Sequence, residues 1–219
     1  MMSYIWHLIA NIGYFLLFVN LVLFSIRLGT HGKANKIFMV YLLVILVIQL
    51  VSAYLSSLRI YNLFLSHFYF VGQFILLSLF YKSLFKNHLQ KKIINIGYVC
   101  CVVILGIQYG LEPNLFFSFN LFEIFITSFL LIVYGVFHFY NMLTDKKEFY
   151  YINMGILFYL FGSTILFLVG NFIVNMSGNW NKITWVTNSF LYVIYQLFIM
   201  FEWYKSFYKK PIQLKKNNN

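Results

Sequence analysis

Charged side chains are scarce in this chain of 219 residues, where Asp, Glu, Lys and Arg together make up 10% and only 5 residues are acidic. Ordinary globular domains carry about a quarter charged residues. Hydrophobic residues account for 62% of the chain and aromatic residues for 22%. Such a chain has too little polar surface to coat a water-soluble globule, so the composition predicts a membrane domain.

Proline and cysteine are also rare, with 2 of each. Pro113 and Pro211 both lie outside the long apolar runs, and the two halves of the chain show no internal repeat. The broken helices that mark many transporters are therefore not indicated. Cys100 and Cys101 are adjacent in an apolar run. They have no metal-ligand spacing and are interpreted as small hydrophobic residues.

Seven apolar runs are long enough to cross a bilayer core of about 30 Å, which needs about 20 helical residues. They are apolar on all sides, whereas strands of a membrane barrel alternate polar and apolar residues. The prediction is an all-α bundle of seven transmembrane helices, the fourth being the shortest, at about 4–26, 37–58, 63–85, 93–109, 115–137, 151–174 and 184–207.

Basic residues collect on alternate connections between these runs. Of the 16 Lys and Arg residues, only Arg59 and Lys182 fall on one side. The positive-inside rule makes the other side cytoplasmic, so the N-terminus is predicted outside and the C-terminus inside the cytoplasmic, or inner, membrane of a bacterium. The basic tail 208–219 is expected to be disordered and close to anionic lipid.

Ionisable residues within membrane helices are costly and are candidates for function. Counted from the predicted outer boundaries at about 1.5 Å per residue, Glu123 lies roughly 12 Å deep and His67 roughly 6 Å deep. Burial disfavours a charged carboxylate unless His67 becomes its cationic partner. The two residues are therefore a candidate pair for proton sensing or transfer.

Uncharged polar side chains reach similar depths on other helices. Together with the pair they predict a ligand pocket in the outer half of the bundle, formed by His67, Glu123, Gln73, Asn11, Gln49 and Asn188. The same side chains can also serve as hydrogen-bonding glue between helices, and both interpretations stay open.

Familiar chemistries of seven-helix proteins lack their required residues. The segment TWVTNSFLYVIYQLFIMFEW of the seventh run has no lysine for a retinal Schiff base, and Pro-Gln pairs of a PQ-loop carrier are absent. Nucleophile elbows, phosphate-binding glycine loops and zinc spacings are also missing. No catalytic residue, metal ligand or cofactor is predicted, and the chain is expected not to be an enzyme.

Three segments, FYFVGQFILLSLFYKSLF, FYLFGSTILFLVGNFIV and VTNSFLYVIYQLFIMFEW, carry a resemblance. With them the chain resembles a group of uncharacterised seven-helix membrane proteins from Bacteroidota, often encoded near histidine kinases. The resemblance implies a signalling accessory. Members of that group carry a Glu in the third helix where this chain has Gln73.

These observations lead to one functional prediction and two alternatives. The prediction is a non-enzymatic sensor or signalling accessory that binds a small or lipidic molecule in the outer pocket. It would act on a membrane or cytoplasmic signalling partner and contact membrane lipids, but not nucleic acid; the oligomeric state is open. One alternative is a small-solute or proton transporter or channel that uses Glu123 and His67. The other is a lipid-modifying enzyme.

Overall fold

The computed structural model of the protein describes residues 2–26, 32–144, 147–174 and 179–208. Side chains are described for residues 6–26, 32–144, 147–170 and 183–206. The tail from residue 209 onward, which is predicted to be disordered, lies outside these ranges. In the described part of the chain every regular element is helical, in keeping with the predicted all-α class.

Seven helices of 20 to 25 residues make up the described fold. They are α1 (Met2–Ser25), α2 (Lys33–Ser57), α3 (Leu65–Leu84), α4 (His88–Leu111), α5 (Leu121–Asn141), α6 (Tyr150–Val174) and α7 (Asn179–Trp203). A 3-10 helix (Pro113–Phe117) precedes α5, and a π-helical turn (Tyr204–Tyr208) follows α7.

Six of these helices, all except α3, are long and apolar enough to cross a membrane. The chain is therefore a multi-pass membrane protein. The mean hydropathy of α3 is lowered by polar side chains such as His67, Gln73 and Lys82. His67 and Gln73 are buried within the protein, so lipid does not meet them.

The boundaries around α4 and α5 differ from the sequence expectation. Helix α4 has 24 residues instead of being the shortest, and α5 begins at Leu121 instead of near 115. Two local features explain the later start of α5. Pro113 opens a separate 3-10 helix, and Asn120 caps α5 by accepting a hydrogen bond from the Glu123 backbone N–H at 3.2 Å.

Six helices form a closed ring in the order α1, α2, α3, α5, α6, α7, and α7 returns to α1. Helix α4 lies outside the ring against α3 and α5. We call the end of the bundle where α1 begins the N-terminal end, and the end where α7 stops the C-terminal end. Tyrosine and phenylalanine side chains fill the ring interior towards the C-terminal end, among them the fully buried Phe38, Tyr41, Phe80 and Tyr81.

Glycines on α6 bring it close to α7. A Cβ built on Gly155 would lie 2.8 Å from the Phe198 Cβ, and one on Gly162 would lie 2.7 Å from the Leu191 Cδ1. Because apolar side chains gain little by leaving lipid for protein, association of membrane helices depends on such close packing.

Gly155→Ala is expected to lower the free energy of unfolding by about 1–3 kcal/mol, because the added methyl group overpacks the α6–α7 contact. The measurement is SDS titration of the protein in mild detergent, followed by tryptophan fluorescence. Gly106→Ala is the matched control, since a Cβ there meets nothing within 4 Å. Equal stability of the two variants would show that α6 and α7 do not require this close approach.

Candidate functional site

A partly open cavity of about 750 Å³ occupies the ring interior at the N-terminal end. It lies between α1, α2, α3, α6 and α7, and Phe119 just before α5 completes its lining. Ligand pockets in proteins typically enclose about 300–1,000 Å³. The cavity therefore has the size of a small-molecule site.

One wall of the cavity is polar, and it belongs mainly to α1 and α2. The amides of Asn11 and Gln49 and the hydroxyl of Ser52 line it, together with Asn62 from the connection after α2. The Asn62 Nδ2 is already engaged, since it donates to the Ser52 backbone carbonyl oxygen at 2.8 Å and to the Ser52 hydroxyl at 3.0 Å. This wall offers neutral donors and acceptors.

The opposite wall is aromatic. Phe119 and Phe167 have ring centroids 5.1 Å apart, and Trp185 lies 5.8 Å from each of them. Phe70 extends the group, at 6.3 Å from Phe119. These distances are typical of edge-to-face aromatic packing. The cavity thus presents an apolar wall facing a hydrogen-bonding wall.

Two buried tyrosines form the floor. The Tyr69 hydroxyl on α3 lies 3.2 Å from the Tyr159 hydroxyl on α6. Asn188 lines the cavity next to them and hydrogen-bonds to Tyr159, while its own Oδ1 is buried without a hydrogen-bonding partner among the described residues. The Tyr159 ring stacks on Tyr195, with centroids 5.5 Å apart.

Below this floor, Gln73 belongs to a hydrogen-bonded group and not to the cavity lining. Its Nε2 donates to the Tyr41 hydroxyl at 3.2 Å, and Tyr195 donates to the same oxygen at 3.2 Å. Gln73 therefore ties α3 to α2, and Tyr41 in turn ties α2 to α7. Of the six predicted ligand residues, the structure places Asn11, Gln49 and Asn188 on the cavity.

His67 and Glu123 meet on the other side of α3, among α3, α4 and α5. The His67 Nδ1 lies 3.1 Å from the Glu123 Oε2 and 2.9 Å from the Tyr109 hydroxyl. Tyr109 also donates to the Glu123 carboxylate, and the Asn120 Nδ2 donates to the Tyr109 oxygen at 3.1 Å. We call these four residues, His67, Tyr109, Asn120 and Glu123, the carboxylate cluster.

The expectation of one pocket holding all six residues is therefore corrected. The carboxylate cluster is absent from the cavity lining because Ser66, Tyr69 and Phe70 of α3 face the cavity, whereas His67 points towards α4 and α5. Phe116 covers the imidazole, with ring centroids 5.3 Å apart and a 22° angle between planes.

The depth of Glu123 also differs from the expectation, because it lies in the first turn of α5 and not two turns into the helix. A helix N-terminus stabilises a carboxylate through its free N–H groups and dipole. The carboxylate is buried, at 0% exposure, but it has the helix dipole, His67 and Tyr109 as compensation. This arrangement suits hydrogen-bonding glue between three helices.

Sequence reasoning missed two members of the cluster. Tyr109 ends the fourth predicted run and is not among the six predicted ligand residues, but its hydroxyl bridges His67 and Glu123. The predicted run 115–137 places Asn120 inside a helix. An Asn followed three residues later by a Glu is, however, the pattern of an N-cap residue and the third residue of the helix that it caps. That spacing was the available signal for the start of α5.

Polar residues at the C-terminal end form separate contacts. The His138 Nε2 lies 2.9 Å from the Glu148 backbone carbonyl oxygen. Glu202 is buried and accepts from the Tyr151 N–H at 2.7 Å and from the Ser206 hydroxyl at 2.6 Å. Glu202 thus supports the first turn of α6, where a carboxylate is favourable. Within the described residues, no three His, Cys, Asp or Glu side chains come together as a metal site would require.

No protein-family model matches the chain, and neither the curated proteins nor the solved structures include a significant match. The resemblance to the Bacteroidota group stays a prediction. The fold alone therefore defines the class, a multi-pass α-helical membrane protein with a cavity at the N-terminal end of the bundle.

Glu123→Ala is expected to destabilise the protein by about 2–4 kcal/mol, because it leaves the buried His67 and the half-buried Tyr109 without their shared acceptor. SDS titration monitored by tryptophan fluorescence measures the change. The control is Glu112→Ala, which removes an exposed carboxylate just beyond α4. If the two variants unfold at the same SDS fraction, the carboxylate cluster does not hold α3, α4 and α5 together.

Proposed function

We propose that the chain spans the cytoplasmic membrane of a bacterium seven times, with the N-terminal end of the bundle outside. The third crossing is α3. Its neighbours in the ring are α2 and α5, and α4 packs outside it, so protein and not lipid surrounds its buried polar side chains. A helix shielded in this way can cross a bilayer with a lower hydropathy than an exposed one.

The distribution of basic residues supports the proposed orientation. Exposed lysines of the described chain, such as Lys36, Lys92 and Lys147, lie at the C-terminal end, whereas Arg59 follows α2 at the N-terminal end. Lys and Arg are retained on the cytoplasmic side of membrane proteins. The cavity then opens on the outer side of the membrane.

Single cysteines in a background without Cys100 and Cys101 test this topology. Arg59→Cys is expected to react with a membrane-impermeant maleimide added to intact cells, and Lys147→Cys only after the cells are permeabilised. Both native positions are exposed. Labelling of Lys147→Cys but not of Arg59→Cys in intact cells would reverse the proposed orientation. Labelling of both variants in intact cells would mean that the chain crosses the membrane an even number of times between residues 59 and 147. One of the three helices α3, α4 and α5 would then not be a crossing.

We propose that the protein acts as a non-enzymatic sensor or signalling accessory that binds a small or lipidic molecule. The observation that carries this proposal is the cavity of about 750 Å³ between five helices, with a neutral polar wall and an aromatic wall. A molecule bound between several helices changes their relative positions, and shifts of about 1–2 Å are a common way to transmit binding. The resemblance to proteins encoded near histidine kinases makes such a kinase the proposed partner.

The alternative of transport through Glu123 and His67 has less support from the geometry. Both residues are buried at the α3–α4–α5 contact, outside the cavity, and Phe116 covers the imidazole. A transported ion or solute in the cavity would not meet them. For a lipid-modifying enzyme, the described lining of the cavity offers no carboxylate to act as general base.

Filling the cavity is expected to move helices at the cytoplasmic end. Ala10 lines the cavity, so Ala10→Trp mimics an occupied site. Spin labels at Lys36→Cys on α2 and at Lys205→Cys in the π-helical turn after α7, with Cys100 and Cys101 replaced, report the distance between these two elements by pulsed EPR. We expect the distance distribution to shift by about 2 Å.

Leu8→Trp is the matched control, because Leu8 lies on the same helix with 52% of its surface exposed and outside the cavity lining. An unchanged distance in Ala10→Trp would contradict a sensor. Proton uptake by proteoliposomes that is lost in Glu123→Gln would favour transport in its place.

A further inference from the structure

The charge of the cavity lining restricts the ligand. Among the described lining residues none is Asp, Glu, Lys or Arg, and the exposed His7 is the one imidazole. A charged ligand buried without a counter-charge loses its hydration and receives little in return. The described lining therefore suits an uncharged molecule.

The two walls indicate what kind of uncharged molecule fits. The rings of Phe70, Phe119, Phe167 and Trp185 bury apolar surface on one side, and the amides of Asn11 and Gln49 offer hydrogen bonds on the other. A molecule with one apolar and one polar face is complementary to both walls. This combination defines an amphiphile.

The floor adds a more specific requirement. Tyr69 and Tyr159 share one hydrogen bond, which uses one of their two hydroxyl protons. The pair therefore has one proton left to donate. The Asn188 Oδ1 beside them is a buried acceptor without a hydrogen-bonding partner among the described residues, and an unmet buried acceptor costs free energy.

A spare donor and an unmet acceptor at one place match a hydroxyl group, which accepts one hydrogen bond and donates another. We infer that the cavity binds an uncharged amphiphile that carries a hydroxyl group, which donates to the Asn188 Oδ1 and accepts from the Tyr69–Tyr159 pair. This inference rests on the proposed function of the cavity as a small-molecule site.

Three brominated probes share the same alkyl chain and differ in the charge of the head group. They are 8-bromooctan-1-ol, 8-bromooctanoate and (8-bromooctyl)trimethylammonium. Bromine near Trp185 quenches its fluorescence, and the part of the quenching that disappears in Trp185→Phe reports the cavity. The full-length protein is measured in lipid nanodiscs. The alcohol is expected to quench Trp185 at a concentration at least about tenfold lower than either charged probe needs.

The double variant Tyr69→Phe/Tyr159→Phe keeps both rings and removes both hydroxyls. It is expected to weaken binding of the alcohol by about three- to tenfold, the usual effect of one hydrogen bond. Tyr54→Phe is the matched control, because the Tyr54 ring is 64% exposed on the outside of the bundle. Circular dichroism checks that the double variant remains folded.

Gln49→Glu provides a reciprocal test that does not touch the floor. A carboxylate on the polar wall is expected to improve binding of the cationic probe and to weaken binding of bromooctanoate. This result would show that the absence of charge on the wall sets the selectivity of the cavity.

The outcomes separate the inference from the proposed function. If a charged probe binds the native protein as tightly as the alcohol, or if the double variant binds the alcohol unchanged, the inference is wrong although the cavity remains a binding site. If none of the three probes quenches Trp185, the cavity does not admit small amphiphiles, and the proposed function fails together with the inference.

Discussion

Hydrocarbon offers no hydrogen bonds, so each polar group that enters the bilayer must find its partner inside the protein. Helix α3 is where this constraint matters most. His67 bonds towards α4 and α5, Tyr69 towards α6, Gln73 towards α2, and Tyr81 donates to Asn153 of α6 at 2.7 Å. The ring closes around these bonds, and α4 covers the outer side of α3.

Because its polar groups point in different directions, α3 separates two polar regions. On one face the carboxylate cluster joins three helices, and Phe116 covers its imidazole. On the other face the cavity is lined by neutral side chains and is partly open. The Glu123 carboxylate is thus kept apart from the accessible space of the cavity. This separation favours recognition of an uncharged molecule over proton-coupled chemistry in the cavity.

The tyrosines beneath the cavity connect it to the remainder of the interior. Tyr159 shares a hydrogen bond with Tyr69 and stacks on Tyr195, which donates to Tyr41, so α2, α3, α6 and α7 meet within a short distance. At the far end of α6, Glu202 of α7 bonds the backbone of the first turn. The close α6–α7 contact along Gly155 and Gly162 packs these two helices tightly against each other.

Composition and hydropathy by themselves determined the helical class and membrane location, since the apolar runs and the scarcity of charge require lipid. The sequence also identified His67 and Glu123 as the residues to examine, but a depth estimate contains no information on the direction of a side chain. Their contact, the position of Glu123 in a first turn, and the roles of Tyr109 and Asn120 depend on how α3, α4 and α5 rotate against one another. Only tertiary packing decides that rotation, and with it which polar groups line a cavity and which bond to each other.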